Sequence, residues 1–483
     1  MGFAGPPPVS RNPIRILWGD LSAERRVTVP FPPGETGPSV TRTRRMAFDP
    51  LPLLLEFYER YGPVFTLRIF HSNVIFMLGP EANHYVTVGH PENFRWRDGH
   101  MGDLVPLLGD GLLTIDGDFH RRSRRVMLPA FHRERIAFSV HTMVSETERA
   151  LDGWSDGMRV DLYGWTRRLA MRIAMRALFG FQTEDGPVGA DDPASLFERA
   201  LSFYSRDYFM QVLRGPGTPF ARMQQARADL DGLIYGEIER RRRTGSRGED
   251  ILSLLIDARD EVGRALTDIQ IRDEVMTLLF AGHDTTTSTV AFLFHELACH
   301  PEALERVLTE RDRILGDRAP SPEQLFSGEL AELEMALDET LRMYPPAWVG
   351  PRRSVRDFEF AGTSVPGGVP VNYSSWATHH LPDVFADPET FRPERFAPEA
   401  KAALPKGAYV PFGAGSRICI GMRFGQLEIK TIASMLLSRF TLELAPGYRL
   451  RIRQMPTIGP RGGLWVTVRT RRDAGAPALS IAA

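Results

Sequence analysis

The sequence predicts a mainly α-helical protein with small segregated β-sheets, built as a single domain. Three observations predict it. Residues 119–345 carry apolar side chains at helical spacing with few strand-like runs. The strand-like runs are short and gathered on either side of that stretch, at 64–70 and 73–78 and again after Pro345 (GTSVPGGVPVNYS, GGLWVTVRT). Neither an internal repeat nor a linker divides the 483 residues, although a prior of about 150 residues per domain would allow three domains.

Taken in order, residues 1–45 are rich in Pro, Gly and Arg without periodicity and are expected to form an extended lead-in. A short helix is expected over 50–61, on Leu51, Leu53, Leu54, Leu55, Phe57 and Tyr58, followed by two strands joined at His71-Ser72. A long apolar helix spans about 267–299 and opens with a capping-box pattern, Thr267-x-x-Gln270. A last helix over 421–440 leads into terminal strands. The domain is expected to cover 46–471, with 472–483 a disordered tail.

With 59 basic and 60 acidic side chains, the net charge of −1 supplies no global field for nucleic acid or an anionic membrane. A hydrophobic content of 43% with 25% charged residues excludes wholesale disorder. The two cysteines, Cys299 and Cys419, are too few for a disulfide framework and point to a reducing compartment. No segment has the roughly 18 apolar residues of a membrane span or the form of a secretory signal, so a soluble cytoplasmic protein without a membrane span is expected.

The chemistry concentrates at Phe412-Gly413-Ala414-Gly415-Ser416-Arg417-Ile418-Cys419-Ile420-Gly421. A cysteine at the mouth of a helix meets the positive end of the dipole and free N–H groups, which favour thiolate. Flanking glycines let backbone approach a large flat object, an aromatic shields the sulfur, and an arginine can pair with an acidic group of a ligand. This run resembles the haem-ligand loop of the cytochrome P450 family, Phe-x-x-Gly-x-Arg-x-Cys-x-Gly, at all five fixed positions. The resemblance implies that Cys419 is the axial ligand of haem b, with Phe412, Arg417 and Gly421 around the cofactor.

Two further matches follow in the same order as in the family. Glu339-x-x-Arg342 places both side chains on one helix face and is followed by Phe391-Arg392-Pro393-Glu394-Arg395-Phe396; the resemblance implies a structural triad of Glu339, Arg342 and Arg395. Ala281-Gly282-His283-Asp284-Thr285-Thr286 interrupts the long helix with groups that compete for backbone carbonyls and bend it. In the family this segment crosses the oxygen-binding face, so Ala281 is expected against the haem. Thr285 and Asp284 are expected to deliver the two protons that O–O cleavage requires. His283 receives no role and is expected to be packed or hydrogen-bonded.

The resemblance also implies cationic partners for the haem propionates. The candidates are His120 and Arg124, one helical turn apart, with Arg417 and either Arg352 or its neighbour Arg353. Arg121, Arg122, Arg125, Arg133 and Arg135 are expected to form a basic docking surface for an acidic electron carrier. Substrate-facing segments are placed by analogy at 94–113, 203–220, 347–349 and 455–458, with Trp96, Met101, Leu104, Phe209, Trp348, Val349 and Met455 as pocket candidates; their apolar character suits a lipid-like, terpenoid or steroidal molecule.

The expected reaction is insertion of one atom of O2 into an apolar substrate by a monomeric enzyme. The chain shows no flavin, Rossmann-type or iron–sulfur segment, so electrons from NAD(P)H are expected through a separate ferredoxin or flavodoxin and its reductase. The alternatives are a peroxygenase using H2O2, a haem-thiolate isomerase or dehydratase, and a non-catalytic haem or gas sensor; none has the same use for the Asp284-Thr285 pair.

Overall fold

The computed structural model describes residues 6, 13–181, 193–204, 208–245, 248, 250–259, 263–455 and 457–471; the expected tail at 472–483 lies outside them. The described residues are rich in helix, and the sheets are small and separate. One sheet of six strands runs in the order Gly34–Glu35, Val64–Ile69, Ser72–Met77, Pro370–Tyr373, Gly350–Ser354, Phe94–Arg95. A second joins Phe440–Leu444, Trp465–Thr470 and Arg159–Asp161, and two strand pairs complete the set. The first hairpin forms with Val64 opposite Met77 and Ile69 opposite Ser72.

The lead-in departs from the extended form expected of it. Pro13–Arg25 and Val40–Phe48 are helices. Proline suits a first helical position, where its missing N–H costs nothing, and Ser39 caps the second helix by accepting the N–H of Arg42 at 3.2 Å. Charges fasten this region to the large sheet, beside the apolar contacts of Val27, Phe31 and Met46. Asp20 meets His71 at 3.0 Å and Arg353 at 2.5 Å, Glu24 meets Arg68 at 2.9 Å, and buried Arg42 pairs with Glu35. A search for apolar periodicity misses helices anchored in this way.

The central helix, Asp268–Cys299, is 32 residues long and buried along most of its length. Its capping box forms in both directions: Gln270 N–H donates to Thr267 Oγ1 at 3.3 Å and Thr267 N–H donates to Gln270 Oε1 at 2.9 Å. The expected interruption at 281–286 is not a break, since the helix runs unbroken through it. The hydroxyls of Thr285, Thr287 and Thr289 bond back to the carbonyls four residues earlier at 2.8–2.9 Å, which satisfies them within the helix.

The helix Ala331–Met343 carries Glu339 and Arg342, both fully buried. Arg342 donates to both oxygens of Glu339, at 2.7 and 2.9 Å, and to the carbonyls of His379 and Pro388 at 2.9 and 2.8 Å. Glu339 also accepts from the N–H of Arg392 at 2.9 Å and from Arg395 Nε at 3.3 Å. His379 extends the assembly. Its Nε2 accepts the N–H of Val410 at 3.0 Å, which assigns the proton to Nδ1, and Nδ1 donates to the carbonyl of Arg342 at 3.1 Å. The buried ion pair is thus tied to the strand of chain that enters the cysteine loop.

Removing one partner from such a pair strands a buried charge, at a cost of about 3–5 kcal/mol. Arg342→Leu should therefore lower the thermal unfolding midpoint steeply. Arg395→Leu, which leaves Glu339 still paired with Arg342, should cost less in the same melt.

Candidate active site

The cysteine loop is shaped by two glycines in the left-handed region, Gly413 and Gly415 (φ +69° and +64°). A Cβ at Gly415 would stand 2.1 Å from the carbonyl oxygen of Thr87, so only glycine fits there. The N–H of Cys419 donates to the carbonyl of Phe412 at 2.9 Å, closing the loop. Helix Met422–Arg439 starts immediately afterwards, leaving Cys419 at its positive end. The thiol is exposed, yet burial in the surrounding protein is the largest influence on it and pushes its pKa up; the N–H of Gly421 and the charge of Arg124 act the other way. Exposed surface on so embedded a group means that Cys419 faces an interior space.

The central helix has an accessible turn nearby. Between residues 271 and 290 every residue is buried except Phe280, Ala281, Gly282 and Thr285, which fall on one turn. A Cβ at Gly282 would meet no atom within 4 Å. The helix after Cys419 crosses the central helix with Gly425 against Thr286, where a Cβ at Gly425 would lie 4.0 Å from Thr286 Oγ1. That crossing brings Cys419 and the accessible turn at Ala281–Thr285 to one junction.

Cations gather at the edge of this site. Arg417 donates to Asp116 Oδ1 and to the carbonyl of Ile115, both at 2.7 Å. The guanidinium of Arg352 lies 3.8 Å from the ring centroid of Trp96 and that of Arg417 lies 5.3 Å from it. Burial, partly offset by Asp116, and the nearby Arg352 and Arg124 push the pKa of Arg417 down to about 10. Arg352 and Arg124 are lowered too, chiefly by burial. His120 falls to about 3 through burial and the charges of Arg417, Arg124 and Arg121. Asp116 is the one carboxylate paired with this group among the described residues, and the buried indole N–H of Trp96 has no acceptor. A cleft of about 310 Å³ opens here between Trp96, His120, Arg352 and Arg417. An excess of buried donors and positive charge fits a ligand carrying two carboxylates, as haem does, beside a sulfur that can bind its iron. Arg353, the alternative to Arg352, turns away to Asp20 and the carbonyl of Gly368.

Asp284 is buried beside Thr285, and neither of its oxygens has a hydrogen-bond partner among the described residues. Its nearest cation is Arg167 at 3.4 Å, which lies 3.3 Å from exposed Glu198. Burial opposes the charge on Arg167, but Asp284, Tyr163 and Glu198 outweigh it and raise its pKa. His283 is fully buried; its Nε2 meets the carbonyl of Arg167 at 3.1 Å, and burial lowers its pKa to about 4. Sequence reasoning missed Arg167, Glu198, His379, Asp116 and Glu428. The last is a buried carboxyl nine residues after Cys419, bonded by Thr286 Oγ1 at 3.1 Å and pushed by burial up to about 8. A lone glutamate inside the apolar run Leu427-Glu428-Ile429 was the available signal.

The pocket candidates do not come together as a group. Trp96 stacks among the arginines. Trp348 is core: its indole donates to the carbonyl of Gln454 at 3.1 Å and its ring meets Trp376 edge-on. Leu104 packs against the main core and Val349 against the core of the large sheet. Met101 is half-buried, Met455 is 54% exposed, and the side chain of Phe209 lies outside the described residues.

Comparison with known proteins agrees with this geometry. The cytochrome P450 family model matches residues 45–461. Cyclooctat-9-en-7-ol 5-monooxygenase of Streptomyces melanosporofaciens is 34% identical over 91% of this chain and 95% of that protein. Pentalenene oxygenase of Streptomyces avermitilis is 29% identical over 73% and 78%. The structure of retinoic acid-bound cyanobacterial CYP120A1 superposes with a TM-score of 0.82 at 30% identity, covering 92% of this chain and 100% of that one.

The depressed pKa of His283 has a sign. The unfolded histidine takes up a proton below about pH 6.5 and the folded one only near pH 4, so stability is lost as pH falls across that interval. Between pH 6.5 and 5 this amounts to about 2 kcal/mol. His283→Gln should accordingly lose less of its melting temperature than the wild type between pH 7 and pH 5.

Proposed function

The chain belongs to the cytochrome P450 family of haem-thiolate monooxygenases, and we propose that it inserts one oxygen atom from O2 into an apolar isoprenoid-type molecule by hydroxylation or epoxidation. The observation that carries the reading is Cys419, exposed at a helix N-terminus beside the crossing with the central helix that carries the accessible Ala281–Thr285 turn. Haem bound there supplies the oxygen-activating chemistry that no side chain offers.

The roles of the chain's own residues follow from their chemistry. Cys419 is the iron ligand, with the Gly421 N–H and Arg124 favouring its thiolate and Phe412 shielding it. His120, Arg124, Arg352, Arg417 and the Trp96 N–H hold the two propionates. Ala281 and Gly282 let the cofactor and a small ligand approach the central helix closely. Thr285 commits its hydroxyl proton to the carbonyl of Ala281, so its oxygen is available to accept a hydrogen bond at the reacting face. Asp284, Arg167 and Glu198 form a row from that face towards the surface; Asp284 is the inner carboxylate that can carry a proton, and Arg167, which keeps its own, orients it.

The substrate class is supported by the relatives, whose named compounds, cyclooctat-9-en-7-ol, pentalenene and retinoic acid, share isoprenoid skeletons. Two electrons per turnover come from NAD(P)H through a ferredoxin or flavodoxin and its reductase. The face bearing Arg121, Arg125 and Arg133, all exposed, with half-exposed Arg122 and Arg135, complements an acidic carrier.

The dithionite-reduced, CO-treated protein should show the strongly red-shifted Soret band of thiolate-ligated haem, and Cys419→Ala should lose it; a histidine-type band in the wild type would overturn the site. In a panel of terpenoid hydrocarbons, those that shift the haem to high spin in the wild type should do so equally in Thr285→Ala. That variant should divert most of its electrons to hydrogen peroxide, measured as product formed per NAD(P)H consumed.

A further inference from the structure

The segment 109–112, Gly-Asp-Gly-Leu, is pressed onto the beginning of the central helix. The N–H of Asp110 donates to Asp273 Oδ2 at 2.7 Å, and the N–H of Leu112 donates to Glu274 Oε2 at 2.9 Å. Ser123, on helix Gly117–Met127, donates its hydroxyl to the other oxygen of Glu274 at 2.7 Å. One carboxyl group therefore ties three elements together. The contact is so close that a Cβ on Gly111 would stand 2.2 Å from Thr277 Oγ1, and one on Gly109 (φ +77°) would stand 2.2 Å from Asp273 Oδ1.

The same stretch is held at its other side by the cysteine loop. Arg417 donates to the carbonyls of Leu112 and Ile115, at 3.4 and 2.7 Å. Thr277 lies about two turns before Thr285 on one helix, and Arg417 lies two residues before Cys419. Segment 109–115 thus bridges the two walls between which the haem would lie. We propose that Glu274, with Asp273 beside it, is a positioning residue that clamps this segment as a roof over the cofactor and so governs how readily ligands enter. What lies under the roof rests on the haem site proposed above; the clamp itself does not.

The clamp has a pH signature. Burial is the dominant influence on Glu274, relieved by the Leu112 N–H and Ser123 and reinforced by the like charge of Asp273, and its pKa is pushed up to about 7. Asp273 rises to about 6 through burial, against Arg272 at 2.8 Å and more distant Arg227. The other charged or titratable groups around the pair are Asp110, paired with Arg97 at 2.8 Å, and Asp231 and Tyr235, both 3.4 Å from Arg272. A raised carboxyl pKa means that docking favours the neutral form. Docking is then tightest in acid, weakens as pH climbs from the ordinary carboxylate range to about 7, and levels off above it.

The test is hydrogen exchange of the haem-loaded protein, read on peptides covering 105–116, beside CO recombination after flash photolysis of the reduced complex. In the wild type, protection corrected for intrinsic exchange should fall about tenfold between pH 5.5 and 7. Glu274→Gln, which keeps an acceptor but cannot ionise, should stay protected and keep only the smaller pH dependence that Asp273 contributes. Glu274→Ala should lose protection at every pH and speed bimolecular CO recombination. Wild-type pH dependence in Glu274→Gln would overturn the clamp, and that isosteric variant decides the matter even if Glu274→Ala fails to fold. An exchange response with unchanged CO recombination would overturn the control of entry. Failure of the haem reading is separable, because it shows as a missing thiolate band and leaves exchange untouched.

Discussion

Glu339 and Arg342 form a carboxylate–guanidinium pair removed from water, and the position of the cysteine loop depends on it. In a low-dielectric interior such a pair gains little net stability over apolar residues, because desolvation offsets the attraction. What it does provide is geometry, since each charge must find all its partners at once. Arg342 finds them in Glu339 and the carbonyls of His379 and Pro388, and Glu339 in the backbone of Arg392 and the side chain of Arg395. His379 relays the constraint to Val410, two residues before Phe412. A helix and two irregular stretches of chain are thereby locked to each other just where the loop leaves them.

The interior charges around the site are sorted by chemistry. Histidines that would compete for protons are held neutral by burial, as at His120 and His283, and Glu428 is protonated at neutral pH. The guanidinium groups of Arg167, Arg352 and Arg417 keep their charge although buried or half-buried. Only three of the 59 basic residues are lysines, and the preference has a physical use here. A buried lysine sheds its proton readily, whereas arginine retains it and can stack on an indole while donating in its own plane. Trp96, lying against both Arg352 and Arg417, depends on that property.

Much of this arrangement was legible in the sequence, for identifiable reasons. The Thr267 capping box, the 64–77 hairpin and the helix after Cys419 rest on local chemistry that a short window of sequence contains. The cysteine loop and the Glu339-x-x-Arg342 pair were readable because close backbone approach and buried charge restrict which residues are tolerated. Interactions between distant segments were not readable. Asp116 meeting Arg417, or Arg167 meeting Asp284, joins residues more than a hundred positions apart, and in a chain so rich in arginine no pattern distinguishes those members from solvated ones. The lead-in helices escaped notice because they are anchored by Asp20, Glu24 and Arg42, whose polarity imitates that of a loop. Trp96 and Trp348 show the opposite difficulty: an aromatic ring looks the same in sequence whether it covers a substrate, a cation or a core.

The cationic edge has a consequence for how this protein comes into being. Arg124, Arg352 and Arg417 repel one another, and a single carboxylate, Asp116, sits among them. Two further negative charges, such as the propionates proposed above, would relieve that repulsion. Whatever stabilises the charged edge would, on that reading, also stabilise the fold around it, so that porphyrin capture and the consolidation of this region would be linked.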